Sequence, residues 1–96
     1  ISTLSSANLA GKKVAVFGCG DSASYSDTYC NAIGLIYDAA STTGATMVGG
    51  GLSTDSYEFS DSAAVRDNAF VGLALDEVNQ PELTDSRIDA WVKTLL

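Results

Sequence analysis

Val14-Ala15-Val16-Phe17-Gly18-Cys19-Gly20-Asp21, continued by Ser22-Ala23-Ser24-Tyr25-Ser26-Asp27, is the stretch that decides how the chain is read. Val14 to Phe17 are apolar without alternation, the pattern of a parallel strand covered on both faces. Gly18 and Gly20 then allow a sharp backbone turn and the close approach of a ligand. A loop of this kind leaves the carboxyl end of a strand, where open α/β sheets bind ligands. Tyr25 contributes an aromatic face and Asp21 a carboxylate. The stretch predicts a buried strand, a glycine-rich loop suited to a flat ring, and the start of a helix.

The pattern continues downstream. Ser26 or Asp27 is placed to cap a helix whose apolar face is Tyr29, Ala32, Ile33, Ile36, Tyr37 and Ala40, at the i, i+3, i+4, i+7 spacing of an amphipathic helix. Gly34 weakens this helix slightly, and Gly44 is a suitable stop. Ala45 to Val48 reads as a short strand, so strand, helix and strand form one βαβ unit. Gly49-Gly50-Gly51 then opens a polar stretch, giving an insertion over about residues 49–68 in which Tyr57 and Phe59 suggest a hairpin-like excursion. An insertion of about twenty residues within a compact domain is often functional. Phe70 to Leu75 is a second buried-type strand, and Asp76 to Pro81 a turn. Thr84 is expected to cap a last helix with Asp85 in its first turn and Lys93 in its last, with Leu83 and Ile88 as a hydrophobic staple and Ile88, Trp91, Val92 and Leu95 as its apolar face. Upstream, Ile1 to Ala10 is Ser-rich and irregular and reads as a connecting loop.

Composition narrows the function classes. The 96 residues predict one domain, and 46% hydrophobic against 18% charged residues predicts a folded chain. The net charge is −7 with only five Lys and Arg, so nucleic acid and anionic membranes are poor partners and a basic protein a better one. The acidity is concentrated in residues 51–96, where nine acids face three bases. Cys19 and Cys30 match neither CxxC nor a zinc pattern, and there is no histidine. Two free thiols in a reducing compartment, cytoplasm or plastid stroma, is the expectation. No apolar run approaches the ~18 residues of a membrane span, and no signal peptide is visible.

Other chemistries for the loop fail on their requirements. A phosphate cradle lacks both a Walker lysine and GxGxxG. Cys19 as a nucleophile has no histidine to assist it. Asp21 as a phospho-acceptor lacks the acidic pair and the lysine that receiver domains carry.

The residues from Gly11-Lys12-Lys13 through Asp21, with Tyr25 and Cys30 to Gly34, resemble the flavodoxin family. The resemblance continues through Gly44 to Gly49, Ser53 to Phe59, Phe70 to Glu77, Asn79-Gln80, Leu83 to Asp85, Arg87-Ile88 and Trp91-Val92. The interruption between Val48 and Phe70 resembles the loop that splits the last strand of long-chain flavodoxins. That family has a parallel sheet in the order 2-1-3-4-5 with helices on both faces. The resemblance therefore implies an α/β, flavodoxin-like parallel sheet represented by its C-terminal half only: strand 4, its helix, the split strand and the last helix, forming a partial domain over residues 1–96.

What the family resemblance implies about function is a noncovalently bound FMN and one-electron transfer, with no catalysis by the protein itself. Tyr25 matches the tyrosine that stacks on the isoalloxazine ring. Gly18, Cys19, Gly20 and Asp21 match the loop at the ring's pyrimidine edge, and Thr28 and Cys30 fall at the same rim. The family's Thr/Ser-rich phosphate-binding loop and its Trp-bearing second loop are not recognised in this sequence. A tyrosine over the ring keeps water away and lowers the potential. Asp21 and Asp27 push in the same direction while also serving as turn and capping residues. The implied partners are basic redox proteins, such as a flavodoxin/ferredoxin reductase or a photosystem subunit, and a complementary N-terminal half or a second copy of the chain. Gly50, Gly51 and Val78, with one extra residue before Ser53, depart from the family pattern where partner contacts are expected. The reading from another class is a structural or interaction fragment of the same fold without flavin.

Overall fold

The computed structural model describes residues 6–95. The first half of the Ser-rich opening stretch lies outside the described residues. The elements in chain order are β1 (Lys13–Val14), β2 (Phe17–Cys19), α1 (Asn31–Ser41), β3 (Thr46–Met47), β4 (Leu52–Ser53), β5 (Val65–Arg66), β6 (Ala69–Phe70), β7 (Leu73–Leu75), a 3-10 turn (Pro81–Leu83) and α2 (Thr84–Leu95).

The expected strand Val14 to Phe17 is a longer path in two pieces. Its first piece pairs in parallel with β3 and its second in parallel with β7. The Val14 carbonyl accepts from the Val48 N–H at 2.8 Å and the Val16 carbonyl from the Leu73 N–H at 2.9 Å. Thus β3 and β7 lie end to end along one edge of this path, as the two halves of a single interrupted strand. The even-numbered residues spend their backbone groups on that edge, so Lys13, Ala15, Phe17 and Cys19 present theirs to the other. Among the described residues no strand pairs with that second edge.

Side chains alternate across the same path. Val16 joins Tyr29, Ile33, Phe70 and Ala74 in a core under α1. Ala15 faces the opposite cluster of Leu73, Leu75 and Trp91 under α2, and the Phe17 and Trp91 rings lie 6.2 Å apart. The architecture is α/β and flavodoxin-like in its layering, with a helix on each face of the parallel pairing. Coverage of both strand faces holds at Val16, whereas Phe17 is 63% exposed.

The second buried strand is also divided. Ala69–Phe70 belongs to an antiparallel three-stranded sheet, β4-β6-β5, built by the insertion. Only Leu73–Leu75 joins the parallel pairing. The hairpin expected around Tyr57 and Phe59 forms instead from flanking residues. Tyr57 and Phe59 are not in strands; they pack on Tyr29 and Phe70, with the Tyr57 and Phe70 rings 4.7 Å apart.

Both helix starts differ from the sequence expectation. Neither Ser26 nor Asp27 caps α1; the cap residue is Cys30, in the left-handed region at φ 52°, with no side-chain cap bond. The insertion has claimed the preceding backbone. Tyr29 N–H donates to the Asp61 carbonyl, the Ser62 hydroxyl donates to the Tyr29 carbonyl, and Ala63 N–H donates to Asn31 Oδ1. At α2, Pro81–Leu83 supplies a lead-in turn, so Thr84 is itself helical and buried and does not cap. Of the predicted apolar face of α2, Trp91 is buried while Ile88, Val92 and Leu95 remain part exposed.

Gly34 is more than a weak point in α1. It is buried, and a Cβ there would collide with the Ala63 carbonyl oxygen of the insertion. Alanine would gain about 1 kcal/mol of helix propensity, but overpacking against backbone costs about 1–3 kcal/mol. Gly34→Ala is expected to lower stability in urea denaturation; a gain would show that the insertion backbone moves aside freely.

Candidate functional site

The parallel pairing of β2 with β7 ends at Cys19 and Leu75, and one further bond, Gly20 N–H to the Leu75 carbonyl at 2.9 Å, carries it into the loops. A concavity of about 370 Å³ lies beyond this end, lined by Cys19, Gly20, Asp21, Tyr25, Thr28, Cys30, Asn31 and Ala32. The structure thus brings six of the seven sequence candidates together. Gly18 is the exception: it sits within β2, where a Cβ would stand 3.0 Å from Ile33 Cγ1, so it fits the strand beneath α1 and lines no part of the concavity. Asn31 and Ala32, at the start of the helix beside Cys30, join the six that do. They enter because α1 starts at Asn31, which turns its first residues toward the rim.

Gly20 is required by close packing. A Cβ there would lie 2.9 Å from Cys30 Sγ and 3.0 Å from the Tyr29 ring. Cys30 is buried, and burial pushes its thiol up to about 11, so it is neutral at physiological pH and no nucleophile. Cys19 is exposed and free.

A chain of turns presents Tyr25. Asp21 Oδ1 accepts from Ala23 N–H at 3.1 Å and Ser24 N–H at 3.0 Å, while the Asp21 carbonyl accepts from Tyr25 N–H at 2.9 Å. These bonds, with one from the Asn79 side chain, hold the exposed Asp21 carboxyl below its ordinary pKa. The Tyr25 ring is left 63% exposed and has no aromatic partner among the described residues. An exposed ring lining the same concavity as Gly20 offers a stacking face. The lining contains one carboxylate and no Lys or Arg, so it suits a neutral flat ring and not a phosphate.

Asp76, which the sequence offers only as part of a turn, supports the same loop through Ser22. It is fully buried. Its carboxylate accepts from Ser22 N–H at 3.0 Å, Val78 N–H at 3.1 Å and Asn79 N–H at 2.9 Å. Burial alone would raise its pKa, but these bonds and the Asn79 amide outweigh it and hold the carboxyl well below the usual range.

A smaller groove of about 210 Å³ lies between the insertion and α2, where the Arg87 guanidinium sits 3.8 Å over the Tyr57 ring. Among the described residues there is no cluster able to hold a metal ion, and no helix is long and apolar enough to cross a membrane.

The flavodoxin family profile matches residues 1–91. The chain belongs to the flavodoxin family. It is 49% identical over 92 residues to a flavodoxin from Synechococcus elongatus, a match covering 96% of this chain and 54% of that one. A flavodoxin from Nostoc is 49% identical over 94 residues, covering 98% and 55% respectively. Among solved structures, Fusobacterium nucleatum flavodoxin bound to flavin mononucleotide superposes with a TM-score of 0.92 at 34% identity, covering 98% of this chain and 56% of that one. The chain therefore spans about half the length of the flavodoxins it matches.

The buried Asp76 carboxylate makes stability pH-dependent with a defined sign. Its folded pKa lies below the unfolded value of about 3.9. Its contribution is therefore full above pH ~4 and is lost as pH falls through the folded pKa. Asp76→Asn is expected to be destabilising at pH 7, with the difference from wild type shrinking as unfolding is measured from pH ~4 downward. A difference independent of pH would show that the carboxylate is not ionised in the fold.

Proposed function

We propose that these residues form the ring side of an FMN site in a one-electron carrier, and that they correspond to the C-terminal part of a long-chain flavodoxin, from its fourth strand to its last helix. The observation that carries the reading is Tyr25: an exposed ring that lines one concavity with Gly20 and Asp21 at the carboxyl ends of β2 and β7, its backbone held by the turn after Asp21. The flavin mononucleotide bound by the Fusobacterium relative supports the choice of ring. FMN, when bound, supplies the redox chemistry, and the protein catalyses nothing alone. This chain's residues stack on the ring, shield one face from water and hold negative charge nearby, which together disfavour adding electrons.

The phosphate is assigned to residues other than these, because the concavity has no basic side chain and the family's phosphate loop is not recognised here. The partners proposed are basic redox proteins, a reductase or a photosystem subunit. The support is an exposed acidic surface that includes Asp55, Glu58, Asp61, Glu77, Glu82, Asp85 and Asp89. The open edge at Lys13, Ala15, Phe17 and Cys19, with Phe17 exposed, favours in addition a complementary N-terminal half or a second copy of the chain. Two free thiols fit a reducing compartment, cytoplasm or plastid stroma.

Two measurements test this. The 96 residues alone are expected to quench FMN fluorescence weakly or not at all; quenching at submicromolar concentration would show that the phosphate is held within them. In the complete FMN-loaded protein, Tyr25→Ala is expected to weaken FMN binding by about 1–3 kcal/mol, by analogy with base–aromatic stacking, and to raise the potential. Unchanged affinity and potential would take Tyr25 off the ring and remove the basis of the assignment.

A further inference from the structure

The turn that presents Tyr25 is fastened to the rest of the fold through one side-chain amide. Asn79 Nδ2 donates to Asp21 Oδ1 at 2.8 Å, to Asp76 Oδ2 at 3.0 Å and to Asp76 Oδ1 at 3.2 Å. The two carboxylates come from different loops, Asp21 following β2 and Asp76 following β7. Each holds main chain in turn: Asp21 the Ala23 and Ser24 N–H groups, Asp76 the Ser22, Val78 and Asn79 N–H groups. Two like charges at this separation repel. A neutral donor shared between them offsets the repulsion and fixes their relative orientation.

We propose that Asn79 is a positioning residue of the flavin site: its amide, anchored on Asp76, holds Asp21 in the orientation that fixes the Ser22–Ser24 turn and so sets the pose of the Tyr25 ring. The inference rests on the flavin reading above. Asn79 is exposed, is not among the residues lining the concavity, and reaches that lining through its hydrogen bond to Asp21, so its effect on the ring is indirect. Without the amide, Asp76 keeps its three backbone donors and the buried core is untouched. Asp21, part exposed, is then free to rotate away from Ala23 and Ser24.

The test uses Asn79→Ala, which removes the bridge without altering charge, and Asn79→Asp, which removes both donors and adds a negative charge beside Asp21 and Asp76. In the 96-residue chain without FMN, amide exchange at Ala23 and Ser24 is expected to speed up about tenfold, the loss of one charge-assisted hydrogen bond. In the complete FMN-loaded protein, Asn79→Ala is expected to lower FMN affinity about tenfold and to move the potential upward as stacking loosens. A merely structural role would lower the melting temperature and leave the potential in place. Exchange within a factor of about two of wild type at both amides in both variants, or an unchanged potential and affinity in loaded Asn79→Ala, overturns the proposal. Failure of the complete unsubstituted protein to hold FMN overturns the flavin reading and this role with it; it is seen before any substitution, so the two failures are distinguishable.

Discussion

Two carbonyl oxygens on one strand edge hold the fold together. Those of Val14 and Val16, two residues apart, accept from Val48 and Leu73, which stand on either side of the whole insertion. The chain must therefore leave the sheet after Val48 and return to it at the next step of the same ladder. That is sterically possible only where side chains are missing. A Cβ on Gly72 would collide with the Val16 carbonyl oxygen, and one on Gly50 would stand 3.0 Å from the Val71 carbonyl oxygen. Gly49 adopts φ +78°, a conformation that L side chains rarely take. The neck of the insertion thus fixes the register of β7, and that register decides that Asp76 emerges beside Gly20 and Asp21.

The insertion is part of the core and not a lid. Tyr57 and Phe59 bring rings against Tyr29 and Phe70, each such pair worth about 0.5–1.5 kcal/mol beyond area burial. The Tyr57 hydroxyl donates to the Ala74 carbonyl at 2.7 Å, fastening the insertion to β7 itself. On its other side the insertion backs the candidate site. Ser60 N–H donates to Ser26 Oγ at 2.7 Å, and Ala63 N–H to Asn31 Oδ1 at 2.7 Å. The wall formed by Ser26 to Asn31 is consequently held by residues more than thirty positions away in sequence.

This explains which parts of the structure the sequence could disclose. The strand–glycine–helix order and the parallel βαβ unit follow from local patterns, and they are present. The helix that periodicity begins near Ser26 begins at Asn31, because Tyr29 keeps its inward phase while its backbone bonds to Asp61 and Ser62. Periodicity reports which side a residue faces, not which partner its N–H takes. Phe17 belongs to an apolar run and yet is exposed, since burial depends on what lies over a strand edge and not on the strand's own residues. For the site, Cys19, Gly20, Asp21, Tyr25, Thr28 and Cys30 are clustered in sequence and therefore visible. Asp76 and Asn79 lie far along the chain in what reads as an ordinary turn, and only the β2–β7 register brings them under the loop.

The carboxylates that support the loop also shape its chemistry. Asp21 and Asp76 are both held below the ordinary carboxylate pKa by their hydrogen bonds, so both are charged at neutral pH. Neither is neutralised by a cation: their donors are backbone N–H groups and a neutral amide, which fix the charges without cancelling them. The result is a concavity lined by the Tyr25 ring and Gly20, with the Asp21 carboxylate at its rim. Such a rim repels phosphate and tolerates a neutral ring, and it opposes any process that adds negative charge to that ring. In the flavin reading proposed above, the contacts that hold the turn before Tyr25 are the same ones that fix the negative charge beside the ring.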